Sequence, residues 1–156
     1  VAAGGIADGR GFLAALALGA SGVQIGTRFI ATHESTAPPQ LKELILKSSE
    51  EQTTVSTIFT GKPVRVILND AMREYLEAEA RGASQEELHS RKPGNSPDGK
   101  YHQGSTLAAG QICGMIRDIV SVKELIQGII EEAGELCSKL HSLSTEMKVL
   151  GKGSGG

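Results

Sequence analysis

The sequence contains no tryptophan, two tyrosines and three phenylalanines, so aromatic residues occupy only 3% of its 156 positions. Stacking platforms for unpaired bases need aromatic side chains, and that class of binding surface is therefore missing. An excess of charge is missing as well: 16 basic and 18 acidic side chains leave a formal charge of −2. The Lys and Arg are scattered rather than clustered, so no basic stripe for a nucleic-acid backbone is available and no nucleic-acid partner is expected. No uninterrupted apolar run approaches the ~20 residues that cross a bilayer, so no membrane partner is expected either. The two cysteines, Cys113 and Cys137, lie far apart and fit neither a metal site nor a redox pair. They are expected to be buried or half-buried free thiols of a reducing, cytoplasmic compartment. His33, His89, His102 and His141 share no H-x-x-x-H spacing, so no metal is expected.

Glycine is plentiful, with 20 residues gathered at strand ends and in the tail. Length alone predicts one domain. Val1 to Ala3 reads as the end of a buried strand, Gly4-Gly5 as its turn and Asp8 as the N-cap of the following helix. Phe12, Leu13, Leu16 and Ala17 recur at helical spacing, with Gly19 as the stop. Gly22 to Ile25 is a second short strand. Strand, helix and strand in so few residues make a tight βαβ unit, which requires parallel strands.

Ser35-Thr36 with Pro38-Pro39 announces another helix, carried by Leu41, Leu44 and Ile45. Thr53 to Phe59 and Val64 to Leu68 look β-like, and Asn69 caps a charged helix to about Arg81. Ser90 to Ser105 reads as a long loop. Two helices are expected after it, Leu107 to Ile119 and Val122 to about Leu143. The second presents Leu125, Ile126, Ile129, Ile130 and Leu136 on one face, and no heptad is read as sustained. The expected divisions are 1–48, 49–105 (an inserted segment), 106–148 and a flexible tail over 149–156.

Two strand ends that open in glycine onto helices suit a phosphate. Backbone N–H groups at a helix start replace the water a phosphate loses, and the helix dipole adds to the attraction. Glycine lets the main chain approach closely. Gly4-Gly5 and Gly26-Thr27 are the candidate edges, and Thr27 adds a hydroxyl. In (β/α)8 barrels such a site is often built after strands seven and eight.

The blocks Ala3-Gly-Gly-Ile-Ala-Asp-Gly-Arg-Gly11, Ala14-Ala-Leu-Ala-Leu-Gly-Ala20, Gly22-Val-Gln-Ile-Gly-Thr-Arg-Phe29 and Ala31-Thr-His-Glu-Ser35 resemble the nitronate monooxygenase family. That family was formerly called 2-nitropropane dioxygenase and includes the FMN-dependent enoyl-ACP reductases. Thr60-Gly-Lys-Pro-Val-Arg65 and Ala109-Gly-Gln-Ile-Cys-Gly-Met-Ile-Arg-Asp-Ile119 continue the resemblance in the same order, to about residue 135. It implies an α/β chain: the C-terminal part of a (β/α)8 TIM barrel, its last two strands, with an associated mostly helical domain. It also implies an FMN cofactor and a small nitronate substrate. Ala3, Gly4 and Gly5 would meet the FMN phosphate at strand seven, and Gln24, Gly26 and Thr27 at strand eight. The family's catalytic histidine follows an earlier strand, and no residue here matches its motif. The chain, which opens without Met, is thus expected to be a C-terminal fragment, inactive alone. It would need the missing N-terminal barrel half, or a homo-oligomer, to cover its strand edges.

Other residues carry two readings each. Gln111 is a packing amide or a substrate-side group; His33 is a surface residue or faces the site; Arg28 neutralises phosphate or forms a structural ion pair. Glu74 to Arg81, and Lys123, Glu124, Glu131, Glu132 and Glu135, read as solvated helix faces. The leading function is oxidation of alkyl nitronates with O₂. The alternatives are an FMN-dependent enoyl-ACP reductase and a non-catalytic phosphate- or nucleotide-binding module.

Overall fold

The computed structural model describes residues 1–58, 61–91 and 108–152, with side chains as far as Met147. The chain begins with β1 (Ala2–Ala3), α1 (Gly9–Ala17) and β2 (Val23–Gln24). The two strands are parallel, with Ala2 opposite Val23 and Ala3 opposite Gln24. Asp8 caps α1 as expected: its backbone is extended and its Oδ1 accepts the Gly11 N–H at 2.9 Å. A single turn, α2 (Thr27–Ile30), follows β2 directly, and α3 (Pro39–Lys47) starts with proline at its first position. Proline costs nothing there because that N–H has no intrahelical partner.

The expected β-like segments form an antiparallel hairpin, β3 (Thr53–Ser56) with β4 (Val64–Ile67), paired from Thr53–Ile67 to Ser56–Val64. The expected strand residue Phe59 lies outside the described residues. Asn69 caps α4 (Asp70–Ala80), accepting the Met72 N–H at 3.0 Å. Val66 of the hairpin then joins Met72, Tyr75, Ala78 and Leu88 in one apolar cluster. A second cluster unites Ala31, Ile45, Ile67, Ala109, Cys113 and Ile116.

Three expectations about secondary structure need correction. First, α5 (Gln85–Arg91) stands where no element was expected and takes in the first two residues of the expected loop; residues 92–105 of that loop lie outside the described residues. Ser84 starts it, its Oγ accepting the Glu87 N–H at 3.2 Å. The S-x-x-E spacing was the available signal.

Second, 107–119 is not an α-helix: the described part holds only a 3-10 turn, Gln111–Met115, between extended Gly110 and Ile116. The sheet takes the backbone that a helix would use, since Ala109 N–H donates to Arg65 O at 3.1 Å and Ala108 bridges Val66. Gly110 and Gly114 further weaken a helix by about 1 kcal/mol each.

Third, α6 (Val122–Lys152) runs 31 residues, past the expected end near Leu143 and through four residues of the expected flexible tail. Residues 153–156 lie outside the described residues. Its start is a reciprocal cap: Ser121 N–H donates to Glu124 Oε2 at 2.8 Å, and Glu124 N–H donates to Ser121 Oγ at 3.1 Å. The Ser121 hydroxyl, donating to Glu124 Oε2 at 2.7 Å, and then the Ser121 N–H hold the Glu124 carboxyl below its usual range. Leu125, Ile129 and Ala133 are buried, but Ile126 and Ile130, expected on the same face, are 43% and 61% exposed. Cys137, on this helix, is exposed rather than buried.

Helices α1 and α6 pack closely because residue 9 is glycine. A Cβ there would stand 2.6 Å from Ala133 N and 2.7 Å from Ile129 O. Gly9 N–H donates to Glu132 Oε2 at 2.6 Å, and Glu132 Oε1 lies 3.7 Å from Arg10. Glu132, read from sequence as part of a solvated face, therefore ties α6 to the N-terminus of α1, where a carboxylate also meets the positive end of the dipole.

Candidate phosphate-binding cleft

Parallel pairing sets the two glycine edges side by side. With Ala3 opposite Gln24, the chain leaves β1 through Gly4-Gly5 and β2 through Gly26-Thr27 at the same end of the sheet. A cleft of about 300 Å³ opens there, lined by Ala3, Gly4, Gly5, Ile6, Gln24, Gly26, Thr27, Gly110 and Ile112. All six residues singled out from sequence line it. Ile6, Gly110 and Ile112 were not singled out as binding residues, although Ile6 falls inside the Ala3-Gly-Gly-Ile block and the other two inside the Ala109-Gly-Gln-Ile block.

Gly4 and Gly5 have φ of +87° and +72°, the left-handed region that side chains avoid. A Cβ at Gly4, Gly5 or Gly26 would meet no atom within 4 Å, so the main chain at these positions faces open space. Gly26 is the N-cap of α2 and supplies no side-chain cap. Thr27 is buried, and its Oγ1 accepts the Gly110 N–H at 2.9 Å. The hydroxyl proton remains able to donate elsewhere, because a hydroxyl accepts and donates at once.

The remaining candidates fall elsewhere. Arg28 does not line this cleft. It is buried, donating to Asp118 Oδ1 at 2.6 Å, Asp118 O at 3.1 Å and Ala31 O at 3.2 Å, so the structural ion pair is the reading that holds. It borders a second cleft with Asp8, Asp118, Glu124 and Glu132, whose carboxylates would repel a phosphate. His33 is exposed, and its backbone N–H pairs with Val120 O at 3.0 Å. Gln111 is exposed and neither packs as a buried amide nor lines the cleft. Cys113 is buried in the second apolar cluster with its thiol on Ser49 O at 3.4 Å, and burial pushes that thiol above its ordinary value. Among the described residues no helix is long and apolar enough to cross a membrane, and no cluster of three His, Cys, Asp or Glu could hold a metal ion.

The family model for nitronate monooxygenase matches residues 1–132. The chain belongs to the nitronate monooxygenase family. A probable nitronate monooxygenase of Bacillus subtilis is 38% identical over 135 residues, covering 85% of this chain and 39% of the relative. FabK of Thermotoga maritima matches in structure with a TM-score of 0.75 at 37% identity, over 90% of this chain and 46% of that one. Nitroalkane oxidase of Streptomyces ansochromogenes matches with a TM-score of 0.69 at 32% identity, over 88% and 40%. The chain thus spans about two-fifths of the length of the Bacillus relative. The nitronate monooxygenase family comprises FMN-dependent TIM-barrel oxidoreductases, and the α/β architecture of this chain accords with those neighbours.

Proposed function

We propose that this chain supplies the last two strands of a (β/α)8 barrel and holds the phosphate of FMN between them, within an enzyme that oxidises small alkyl nitronates. The observation that carries the reading is the convergence of Ala3, Gly4, Gly5, Gln24, Gly26 and Thr27 on one cleft at the shared end of two parallel strands. A phosphate monoester brings roughly two negative charges that must exchange water for fixed donors. Open main chain at three glycines, beside the Thr27 hydroxyl and away from the acidic second cleft, fits that group. When bound, FMN supplies the electron transfer by which a nitronate is oxidised with O₂.

The division of labour follows from the lining. None of the nine residues around the cleft carries a titratable side chain. The cleft can therefore bind and orient, but it offers no group to take or give a proton. In this reading a residue outside the chain performs proton transfer, and the other six strands of a closed barrel cover the edges of β1 and β2.

Gly26→Asp tests the reading without backbone strain, because Gly26 has φ −105° and open space at its Cβ. The new carboxylate would face the phosphate. FMN and riboflavin differ only by that phosphate, so fluorescence titration with both isolates its contribution. Wild type is expected to prefer FMN, and Gly26→Asp to lose about tenfold or more of that preference. Equal affinity for both flavins in the wild type sinks the proposal. The FabK likeness favours a second reading, reduction of an enoyl thioester. NAD(P)H-dependent turnover of such a thioester by the flavin-loaded enzyme with the remaining barrel strands in place, without nitronate oxidation, would select it.

A further inference from the structure

Helix α6 is far longer than the surface it packs on. Its 31 residues span about 46 Å, against about 13 Å for the 9 residues of α1. Leu125, Ile129 and Ala133 are buried, Leu136 is half-buried, and Leu140, Leu143 and Met147 are 57%, 46% and 72% exposed. At about 100° per residue, all seven fall in one stripe roughly 80° wide. The exposed end is thus a direct continuation of the face that α1 covers.

From Ile129 the stripe steps 4, 3, 4, 3, 4 through Ala133, Leu136, Leu140, Leu143 and Met147. That is an a/d seam over these six residues, where no sustained heptad was expected. A seam of this kind meets another helix of the same kind.

We propose that a second copy of this chain covers the exposed seam, with the two α6 helices antiparallel about a twofold axis between Leu140 and Leu143. Charge chooses the direction. With Leu140 of one copy facing Leu143 of the other, Lys139 falls opposite Glu146, and the axis repeats the pair. A parallel pairing would put Lys139 opposite Ser144 and form no such pair. In the antiparallel register Cys137, which is exposed, faces Ser144. The inference is independent of what the cleft binds.

Sedimentation of the full chain across the micromolar range is expected to show a monomer–dimer equilibrium. Leu143→Glu keeps a good helix former but buries two charges in the seam, and should raise the dissociation constant at least about 100-fold. Lys139→Glu and Glu146→Lys should each weaken the dimer about threefold to tenfold, and the double swap should restore it. Ser144→Cys should form an intermolecular disulfide with Cys137 on oxidation, a readout that leaves the seam intact. A monomer at every concentration, as when other protein in the same chain covers the stripe, overturns the proposal. So does association that Leu143→Glu leaves unchanged, or a double swap no better than the singles.

Discussion

The contact between α1 and α6 turns on a single absent methyl group. Gly9→Ala would place a Cβ 2.6 Å from Ala133 N, 2.7 Å from Ile129 O and 2.7 Å from Glu132 Cβ. Two of those atoms belong to helix backbone and cannot rotate away, so the helices must part by about 0.8 Å to reach ordinary carbon contact near 3.4 Å. Overpacking of this kind costs about 1–3 kcal/mol. Parting also stretches the 2.6 Å bond from Gly9 N–H to Glu132, and a bond to a charged acceptor is worth about 1.5–3 kcal/mol. Alanine returns up to about 1 kcal/mol through lost freedom of the unfolded chain. The net expectation is a loss of about 1.5–5 kcal/mol. Gly11→Ala is the internal control, because its Cβ would sit 3.5 Å from Ile6, an ordinary contact on the same helix. It should be neutral or stabilising by up to about 1 kcal/mol. Urea titration followed by far-UV circular dichroism should separate the variants by about 0.5 M or more in midpoint, taking an m-value of about 1–3 kcal/mol/M. If Gly9→Ala proves as stable as Gly11→Ala, the close approach at Gly9 does not hold the helices together.

Two further outcomes follow from the same region and its neighbours. Burial acts to raise the Asp8 carboxyl, but hydrogen bonds from the Gly11 N–H and from Arg10 outweigh it and hold the group below its ordinary 3.8. Its ionised form therefore adds stability that is complete above about pH 4 and disappears as pH falls through the lowered folded-state value. Asp8→Asn keeps a capping oxygen, so its stability deficit should be full near neutrality and vanish at lower pH. A deficit that does not change with pH counts against the cap. Ellman's reagent should label exposed Cys137 quickly, and buried Cys113 only on unfolding, because burial raises its thiol above the ordinary value. Two equally fast thiols would contradict the packing of Cys113 against Ile45 and Ile116.

The sequence was most readable where structure is decided locally. Asp8 and Asn69 cap their helices because the acceptor sits three residues before its donor, a relation visible in any window of the chain. Four of the six cleft residues were readable for a similar reason, whereas Ala3 and Gln24 were implied only by the family resemblance. Gly4-Gly5 and Gly26-Thr27 each end a strand, and parallel pairing of adjacent strands brings such ends together.

Reading failed where a distant partner decides. Residues 107–119 carry a helical apolar pattern, yet their backbone bonds to β4, some forty residues earlier in the chain, and the helix does not form. Glu132 stands at the edge of the apolar stripe, one heptad after Leu125, but periodicity cannot say that the first N–H of α1 arrives there. The same limit explains α6 itself. Its apolar stripe predicts a buried face along its whole length, and burial follows only as far as α1 reaches. Patterning thus specifies which face of a helix wants a partner, whereas the length of the partner decides how much of it is satisfied. Beyond Leu136 that demand is unmet within the described chain, so the physical argument for a second helix rests on the residues that the first one leaves uncovered.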